Sequence, residues 1–236
     1  MTLRAFRFLS ARHALQALQT QEIKISRYDD LNDPFELYGV NLANRKYQRR
    51  FIEFKRCISQ RYGLLCFSRR WQNPLLWSHY GDRHKGVALE FELDDDIVLE
   101  IRYSPRRLRM NIERALAIGW FGEQEAYEVA ITKTSHWKYE EEVRVSLELS
   151  ECAEKGGLLF KSLGERMKIV GLVFGPLCQL SKEEVQKSIP KGDRTDVMWS
   201  RLAFTSFNVV LNRAKKTQTI QGLYNTTPDL HSKPEV

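Results

Sequence analysis

Cysteine is scarce in this sequence, and its spacing argues against two kinds of stabilising site. The four cysteines form no CxxC pair and are widely separated: Cys57, Cys66, Cys152 and Cys178. Neither a disulfide framework nor a structural zinc site is therefore indicated. Unpaired thiols of this kind fit a protein of the reducing cytoplasm.

Long apolar runs are missing as well. No window approaches the roughly 20 consecutive apolar residues that cross a bilayer, and Arg4, Arg7 and Arg12 interrupt the N-terminus, which leaves no apolar core for a secretory signal. We therefore expect a soluble, cytoplasmic protein without a membrane partner. With 236 residues and 42% hydrophobic residues, the chain can bury one sizeable core.

Acidic residues are few in the first part of the chain. Residues 1–70 hold 14 Lys or Arg and 6 Asp or Glu, against 23 and 24 in the rest. Much of this basic excess lies in a predicted helix over residues 43–62. Aromatic and aliphatic residues there recur at spacings of three and four, which predicts a buried stripe: Tyr47, Phe51, Phe54, Ile58 and Tyr62. The remaining cations, Arg49 and Arg50 among them, form either a solvated face or a nucleic-acid contact.

Strand-like segments outnumber helical ones. Runs rich in β-branched and aromatic residues predict strands at 4–10, 22–28, 63–68, 86–93, 97–104, 127–134, 142–149 and 168–175. Helices are predicted near 10–20, 43–62, 107–120, 158–167 and 181–188. Because strands mostly follow one another, we expect an α+β fold with mixed, largely antiparallel sheets and flanking helices. Residues 1–211 should form one domain, and the polar residues 212–236 a loosely held tail.

No glycine-rich phosphate loop, GxSxG motif or metalloprotease helix motif is present. The clearest charge pattern is instead "HWKYEEEVRV", where Glu140, Glu142 and Arg144 alternate with other residues. Period two places these three on one face of a strand. They form either a solvated ion-pair ladder or a carboxylate pair. A fixed carboxylate pair stabilises the oxocarbenium-like state that forms when a bond at an anomeric carbon breaks.

A second cluster lies between two predicted strands, in "LLWSHYGDRHKG". Trp77 and Tyr80 are three residues apart and would share a helical face, either as core anchors or as a platform for a flat ring. His79 and His84 lack a third ligand nearby, so no metal site is predicted. In "DLNDPFE", Asp33 and Glu36 are possible general acids or bases, and turn formation and capping also explain Asn32 and Asp33 without any function.

Five segments taken together, "FRFLS", "LNDPFE", "LLCFS", "LLWSHYGDRHKGVALEF" and "WKYEEEVR", resemble a bacterial family known as domain of unknown function 2971. The segments run in order from about Phe6 to Gly175. The order of a first-strand Arg, an aromatic-Ser pair and a late Glu-x-Glu also resembles ADP-ribosyltransferases.

The second resemblance implies NAD as the substrate and assigns roles to single positions. Arg7 would hold a ribose or phosphate, and Ser68 would support the NAD site, although "CFS" lacks the preceding Ser and Thr of the family pattern. Glu142 would be the catalytic glutamate and Glu140 the one that places an acceptor. Tyr80 is grouped with these catalytic residues, whereas Trp77 and His79 are grouped with the cofactor-binding ones.

The expected function is thus ADP-ribosyl transfer to a protein or nucleic-acid acceptor, or NAD hydrolysis, which would suit a bacterial defence or toxin effector. Two alternatives stay open. One is a nucleic-acid-binding module that uses the basic helix around Arg49 and Arg50. The other is a nuclease that uses His79, His84 and Asp33.

Overall fold

A computed structural model describes residues 1–109 and 123–225 of the chain. Its α-helices are α1 Ala11–Thr20, α2 Arg45–Arg61, α3 Pro74–His79, α4 Glu123–Ile131 and α5 Lys182–Gln186. Short 3₁₀ helices cover Tyr28–Asp30, Asp95–Ile97, Ser135–Glu140 and Leu149–Glu151. The strands are β1 Thr2–Leu9, β2 Glu22–Arg27, β3 Tyr62–Ser68, β4 Val87–Asp94, β5 Val98–Glu100, β6 Arg102–Ser104, β7 Thr132–Thr134, β8 Glu142–Glu148, β9 Ala153–Lys155, β10 Leu158–Ser162, β11 Met167–Phe174, β12 Arg194–Leu202, β13 Val209–Leu211 and β14 Gln218–Gln221.

The described strands form one large mixed sheet and one small pair. Along the large sheet the order is β13-β12-β11-β4-β1-β3-β2-β10-β9, with β14 beside β12, and β8 between β3 and β5. Its pairs are antiparallel except for β11 with β12, and the small sheet joins β6 and β7 in parallel. The prediction of an α+β fold with mixed, largely antiparallel sheets is confirmed.

Helices cover both faces of the sheet because the strands alternate apolar side chains between the faces. On β4, Leu89 belongs to the largest core cluster, together with Leu18 of α1 and Val185 of α5. Its neighbour Ala88 belongs to the opposite cluster, together with Trp77 of α3. The central strands are therefore buried on both sides, which fixes the positions of side chains at their ends.

Helix α2 packs through the stripe that its spacing predicts. Tyr47, Phe51 and Phe54 are buried, and Ile58 and Tyr62 pack against the same cluster. Ser181 starts α5 in a capping box, as its sequence predicts. No helix of the described residues is both long and apolar enough to cross a membrane.

Two secondary-structure predictions need correction. Residues 127–131, predicted as strand, belong to α4, where Val129 is fully buried; only β7 remains of the predicted strand. A short apolar run is compatible with a helix or a strand, and here tertiary packing favours the helix. The helix predicted at 158–167 is instead β10, which pairs with β2 after a turn at Gly156 and Gly157, both with positive φ. The helix predicted near 107–120 falls mostly outside the described residues.

The polar segment after Asn212 is also more ordered than its composition predicts. Strand β14 pairs with β12, and Ile220 is 2% exposed within the main core cluster. Backbone N–H groups of Gly222, Leu223 and Tyr224 also donate to carbonyls of the main body, so several contacts hold a segment that is otherwise polar. Residues 226–236 lie outside the described part of the chain.

Candidate functional site

A cavity of about 250 Å³ opens beside β1, β3 and β8. Five of the seven site residues predicted from the sequence line it: Arg7, Ser68, Tyr80, Glu140 and Glu142. Arg144, Lys133 and Glu36 line it too. Residues more than a hundred positions apart in the chain therefore meet in one cavity.

The register of β3 and β8 explains part of this convergence. Ser68 lies opposite Glu142, and Cys66 lies opposite Arg144. Since residues two apart on a strand share a face, Glu142 and Arg144 project to the same side, as the period-two pattern predicts. Glu142 accepts hydrogen bonds from both Nε and Nη2 of Arg144, at 2.7 and 3.2 Å.

Glu140 reaches the cavity by another route, which corrects the prediction of a three-residue strand face. It ends the 3₁₀ helix Ser135–Glu140, and Glu141 then takes a left-handed backbone conformation with φ 43° before β8 begins. This turn directs Glu141 outward, where its carboxylate pairs with Arg70 at 3.1 Å and is 42% exposed. Glu140 and Glu142 are both 5% exposed.

Five buried side chains form a line of alternating charge: Glu36, Arg144, Glu142, Lys133 and Glu140. Arg144 bonds both oxygens of Glu36, at 2.5 and 2.9 Å, and Lys133 Nζ donates to Glu140 at 2.5 Å and to Glu142 at 2.7 Å. All five are 7% exposed or less, so the interpretation as a solvated ladder is wrong. Three carboxylates share two cations, which leaves one net negative charge when all five are ionised.

Glu142 is an anion at neutral pH. Burial would raise its pKa, but the charges of Arg144 and Lys133 together outweigh burial and lower the pKa to about 2. Tyr103 adds a further constraint, because its hydroxyl accepts a hydrogen bond from the backbone N–H of Glu142 at 2.8 Å. Arg144 therefore fixes the Glu142 carboxylate in its charged form and in one orientation.

Glu140 has the opposite electrostatic character. Burial raises its pKa above the ordinary value, although Lys133 acts in the other direction. The hydroxyl of Tyr80 donates to Glu140 Oε1 at 2.7 Å and accepts from the Asn32 amide at 2.9 Å. Two carboxylates in one cavity with pKa values shifted apart are typical of paired acid and base groups.

Arg7 forms another wall of the cavity and lacks a carboxylate partner among the described residues. Its guanidinium donates to the backbone carbonyls of Lys24 at 3.1 Å and Cys66 at 3.4 Å, and its buried Nε has no hydrogen-bond partner in the described structure. Burial accordingly lowers the pKa of Arg7. A half-buried guanidinium with an unsatisfied buried Nε carries a desolvation cost, and a ligand anion would offset it.

Ser68 lines the cavity, but its hydroxyl is engaged with the backbone. It lies 2.6 Å from the carbonyl oxygen of Glu140 and 2.7 Å from that of Arg70, and it accepts from the Arg70 N–H. Ser68 thus links the end of β3 to the backbone of Glu140. Its contacts are those of a residue that positions Glu140.

Comparison of the chain with family models, with curated proteins and with solved structures gives no match. The resemblances to the bacterial family and to ADP-ribosyltransferases therefore stay predictions.

Two of the predicted cofactor-binding residues lie away from the cavity lining. Trp77 has no exposed surface: its Nε1 donates to the Trp71 carbonyl at 2.6 Å, and its ring packs edge-on against Phe8. It is a core anchor and offers no face for a ligand ring. His79 is exposed and lies among Tyr139 and Trp137, with ring centroids 6.4 and 6.5 Å from its own.

The residues of the nuclease alternative are not brought together in the described structure. His84 lies 3.0 Å from the Ser78 hydroxyl, whereas Asp33 accepts from the Phe35 N–H and forms the turn that its sequence predicts. Within residues 1–109 and 123–225, no three His, Cys, Asp or Glu side chains are grouped as metal ligands. Arg49 and Arg50 lie exposed on α2 and do not line the cavity.

Sequence analysis missed the central role of Lys133 and the engagement of Glu36 with Arg144. Lys133 lies in "ITKT", where nothing local distinguishes it from a solvated lysine of a strand. Its burial depends on β7, which pairs in parallel with β6. The sequence held only an indirect indication of Lys133. Two neighbouring carboxylates that face a cavity require cations, and these come from elsewhere in the chain.

Proposed function

We propose that this protein is an enzyme that binds NAD or a related nucleotide and breaks the bond between the ribose and nicotinamide, in the manner of ADP-ribosyltransferases or NAD glycohydrolases. One observation carries the proposal. The cavity that contains the carboxylate pair Glu140 and Glu142 also contains Arg7, a guanidinium with no carboxylate partner among the described residues. A nucleotide has a sugar that the carboxylate pair could contact and a phosphate that Arg7 could bind.

The two carboxylates suit different parts of the reaction. As the carbon–nitrogen bond breaks, its electron pair leaves with nicotinamide and positive charge develops on the ribose. Glu142, whose pKa is lowered to about 2, supplies a fixed negative charge that stabilises this state. Its environment remains favourable despite Arg144, because that cation is shared with Glu36 and the whole line keeps one net negative charge.

Glu140 then serves as the proton acceptor. The oxygen of water or of an acceptor group forms the new bond to the ribose carbon, and the proton of that oxygen passes to Glu140. A raised pKa favours this role, because a carboxylate with higher proton affinity is a stronger base. Tyr80 and Lys133 hold the carboxylate in place through bonds of 2.7 and 2.5 Å.

The size of the cavity sets how much of a dinucleotide it encloses. Its volume of about 250 Å³ is below the roughly 300–1,000 Å³ that ligand sites commonly measure. We expect the nicotinamide ribose to occupy the cavity and the remainder of the dinucleotide to lie outside it. The Arg7 guanidinium would then bond the phosphate closest to that ribose.

The test is nicotinamide release from NAD, measured by chromatography and mass spectrometry. Glu140→Gln and Glu142→Gln should each reduce turnover by roughly 100-fold or more, the size typical of a lost acid or base. Glu141→Gln is the matched control, because Glu141 lies between the two in sequence but pairs outside with Arg70. Turnover equal in all three variants, or no nicotinamide released by the wild type, would refute the proposal.

A further inference from the structure

A second concave surface lies at the turn between β12 and β13. We call it the hairpin groove; its volume is about 500 Å³. The residues that define it come from the loop after β3, from β12, from the turn and from the segment after β13: Trp71, Gln72, Arg201, Phe204, Ser206 and Arg213. None of these six lines the cavity that contains Glu140 and Glu142, so the two sites are separate.

Two phenylalanines of this turn are almost fully exposed. Phe204 is 90% exposed and Phe207 is 97% exposed. The turn nevertheless has a fixed shape: Ala203 N–H donates to the Asn208 carbonyl, and Val209 N–H donates to the Gln72 carbonyl, both at 2.9 Å. The rings are therefore held toward solvent by a defined backbone. Exposed large aromatics on a fixed turn are typical of a binding surface.

The surroundings of these rings carry charge of one sign. The sequence contains no Asp or Glu from Val197 to Pro228, whereas it holds Arg201, Arg213, Lys215 and Lys216. None of these four cations lies within 4.0 Å of a described carboxylate. Arg201 lies over the Phe204 ring at 4.6 Å, and Lys215 lies over the Trp199 ring at 5.8 Å. Cations free of carboxylates beside exposed rings suit a ligand that is both anionic and aromatic.

We propose that the hairpin groove binds single-stranded nucleic acid. Bases would stack on Phe204 of the groove and on Phe207 of the same turn, and phosphates would contact Arg201 and Arg213 of the groove and Lys215 outside its lining. Stacking combined with phosphate contacts is how proteins bind strands without sequence preference. A duplex fits less well, because its bases are already stacked on one another. A membrane surface also fits less well, because Thr205, Ser206 and Asn208 interrupt the apolar tip of the turn and polar groups there favour hydrogen bonds to base edges.

Fluorescence anisotropy with short labelled oligo-dT and oligo-U tests this proposal. Phe204→Ala combined with Phe207→Ala should weaken binding by roughly tenfold or more, the size of lost base stacking. Since both side chains are exposed, the variant should keep its fold, which circular dichroism would verify. Arg201→Ala and Arg213→Ala should each weaken binding and reduce its dependence on salt, because each removes a phosphate contact.

Arg49→Ala combined with Arg50→Ala is the matched control, because it removes two exposed cations from α2, outside the groove. We expect it to leave oligonucleotide binding unchanged. The proposal is overturned if this control abolishes binding and the phenylalanine variant does not, or if no saturable binding occurs at low salt. Binding to vesicles containing phosphatidylserine, without binding to either oligonucleotide, would assign the groove to a membrane surface instead. No NAD enters the assay, so its outcome is independent of the proposed enzymatic function.

Discussion

Arg7 and Arg144 line the same cavity, yet their surroundings differ. Arg144 is 1% exposed and lies between Glu36 and Glu142, with four hydrogen bonds to their oxygens. Arg7 makes two bonds to backbone carbonyls, at 3.1 and 3.4 Å, and no described carboxylate pairs with it. The charge of Arg144 is paired within the protein, whereas that of Arg7 is available to a ligand.

This difference separates a residue that holds the fold from one that holds a ligand. A buried cation whose bonds are all made within the protein supports its neighbours, and its removal leaves them as uncompensated charges. A half-buried cation whose buried nitrogen lacks a partner lowers stability, and such a cost is commonly retained where function requires it. The same cavity thus contains a structural arginine and, in our account, a functional one.

Replacing Arg144 should produce the largest effect. Arg144→Met leaves Glu36 and Glu142 buried without their shared cation, and we expect a loss of about 3–5 kcal/mol in the free energy of unfolding. Urea denaturation followed by circular dichroism measures this loss. If Arg144→Met unfolds at the wild-type urea concentration, the charged line is not a stabilising structure, and the contrast with Arg7 disappears.

Acid should reveal the next largest effect, through Glu142. Its folded pKa of about 2 lies below the ordinary 4.5, so its contribution to stability is complete above about pH 5 and is lost as pH falls toward 2. A shift of this size corresponds to about 3 kcal/mol. Urea denaturation between pH 2 and pH 7 should therefore show a shallower loss of stability in Glu142→Gln than in the wild type.

The exposed neighbour provides the control for this acid effect. Glu141→Gln should follow the wild-type curve, because Glu141 is 42% exposed and pairs only with Arg70 at the surface. The slope against pH is the quantity to compare, because Glu142→Gln also lowers stability at every pH by depriving Arg144 of an anion. Parallel curves for wild type and Glu142→Gln would contradict the assigned pKa.

Tyr80→Phe should have a smaller effect, confined to the Glu140 end of the line. It removes the donor to Glu140 Oε1, and a single hydrogen bond of this kind contributes about 1.5–3 kcal/mol when one partner is charged. Because the lost bond favoured the ionised carboxylate, the pKa of Glu140 should rise further. A rate profile for nicotinamide release would show its acid limb displaced to higher pH, and an unmoved limb would argue against Glu140 as the base.

Replacing Arg7 should have the smallest effect on stability. Arg7→Met gives up two bonds to backbone carbonyls but also removes a half-buried charge that has no described carboxylate partner, so the free energy of unfolding should change by about 1 kcal/mol or less. The measurement is the same urea denaturation that is applied to Arg144→Met. A loss as large as that of Arg144→Met would show that Arg7 is structural and that the two arginines do not differ.

The strand face of the site could be predicted from the sequence, because period two fixes which side chains share a face. That rule brought Glu142 and Arg144 together, and the helical stripe of α2 followed from spacing in the same way. Glu140 reached the cavity through the left-handed turn at Glu141, which no periodicity indicates. Local patterns thus predict side-chain direction within an element and fail where the chain turns.

The partners of these residues could not be predicted, because they come from distant segments. Lys133 and Glu36 can be recognised as partners of Glu142 and Arg144 only in the folded chain, where β7 and the turn after Tyr28–Asp30 lie near β8. Similarly, Arg4 and Arg7 look alike in the sequence, but Arg4 pairs with Glu90 at 3.0 Å on an exposed face. From the sequence, Trp77 could equally be a core anchor or a stacking platform for a ligand ring. Only its complete burial in the structure shows that it is a core anchor.

The most direct test of the central claim is a calorimetric titration of NAD into Glu140→Gln, which should bind NAD without turning it over. The comparison is with the double variant Arg7→Met and Glu140→Gln. We expect saturable binding by the single variant and at least about tenfold weaker binding by the double variant, because one charge-assisted bond to phosphate is lost. Equal NAD affinity in the two variants, or no binding by either, would contradict the claim that Arg7 is held unpaired for a nucleotide.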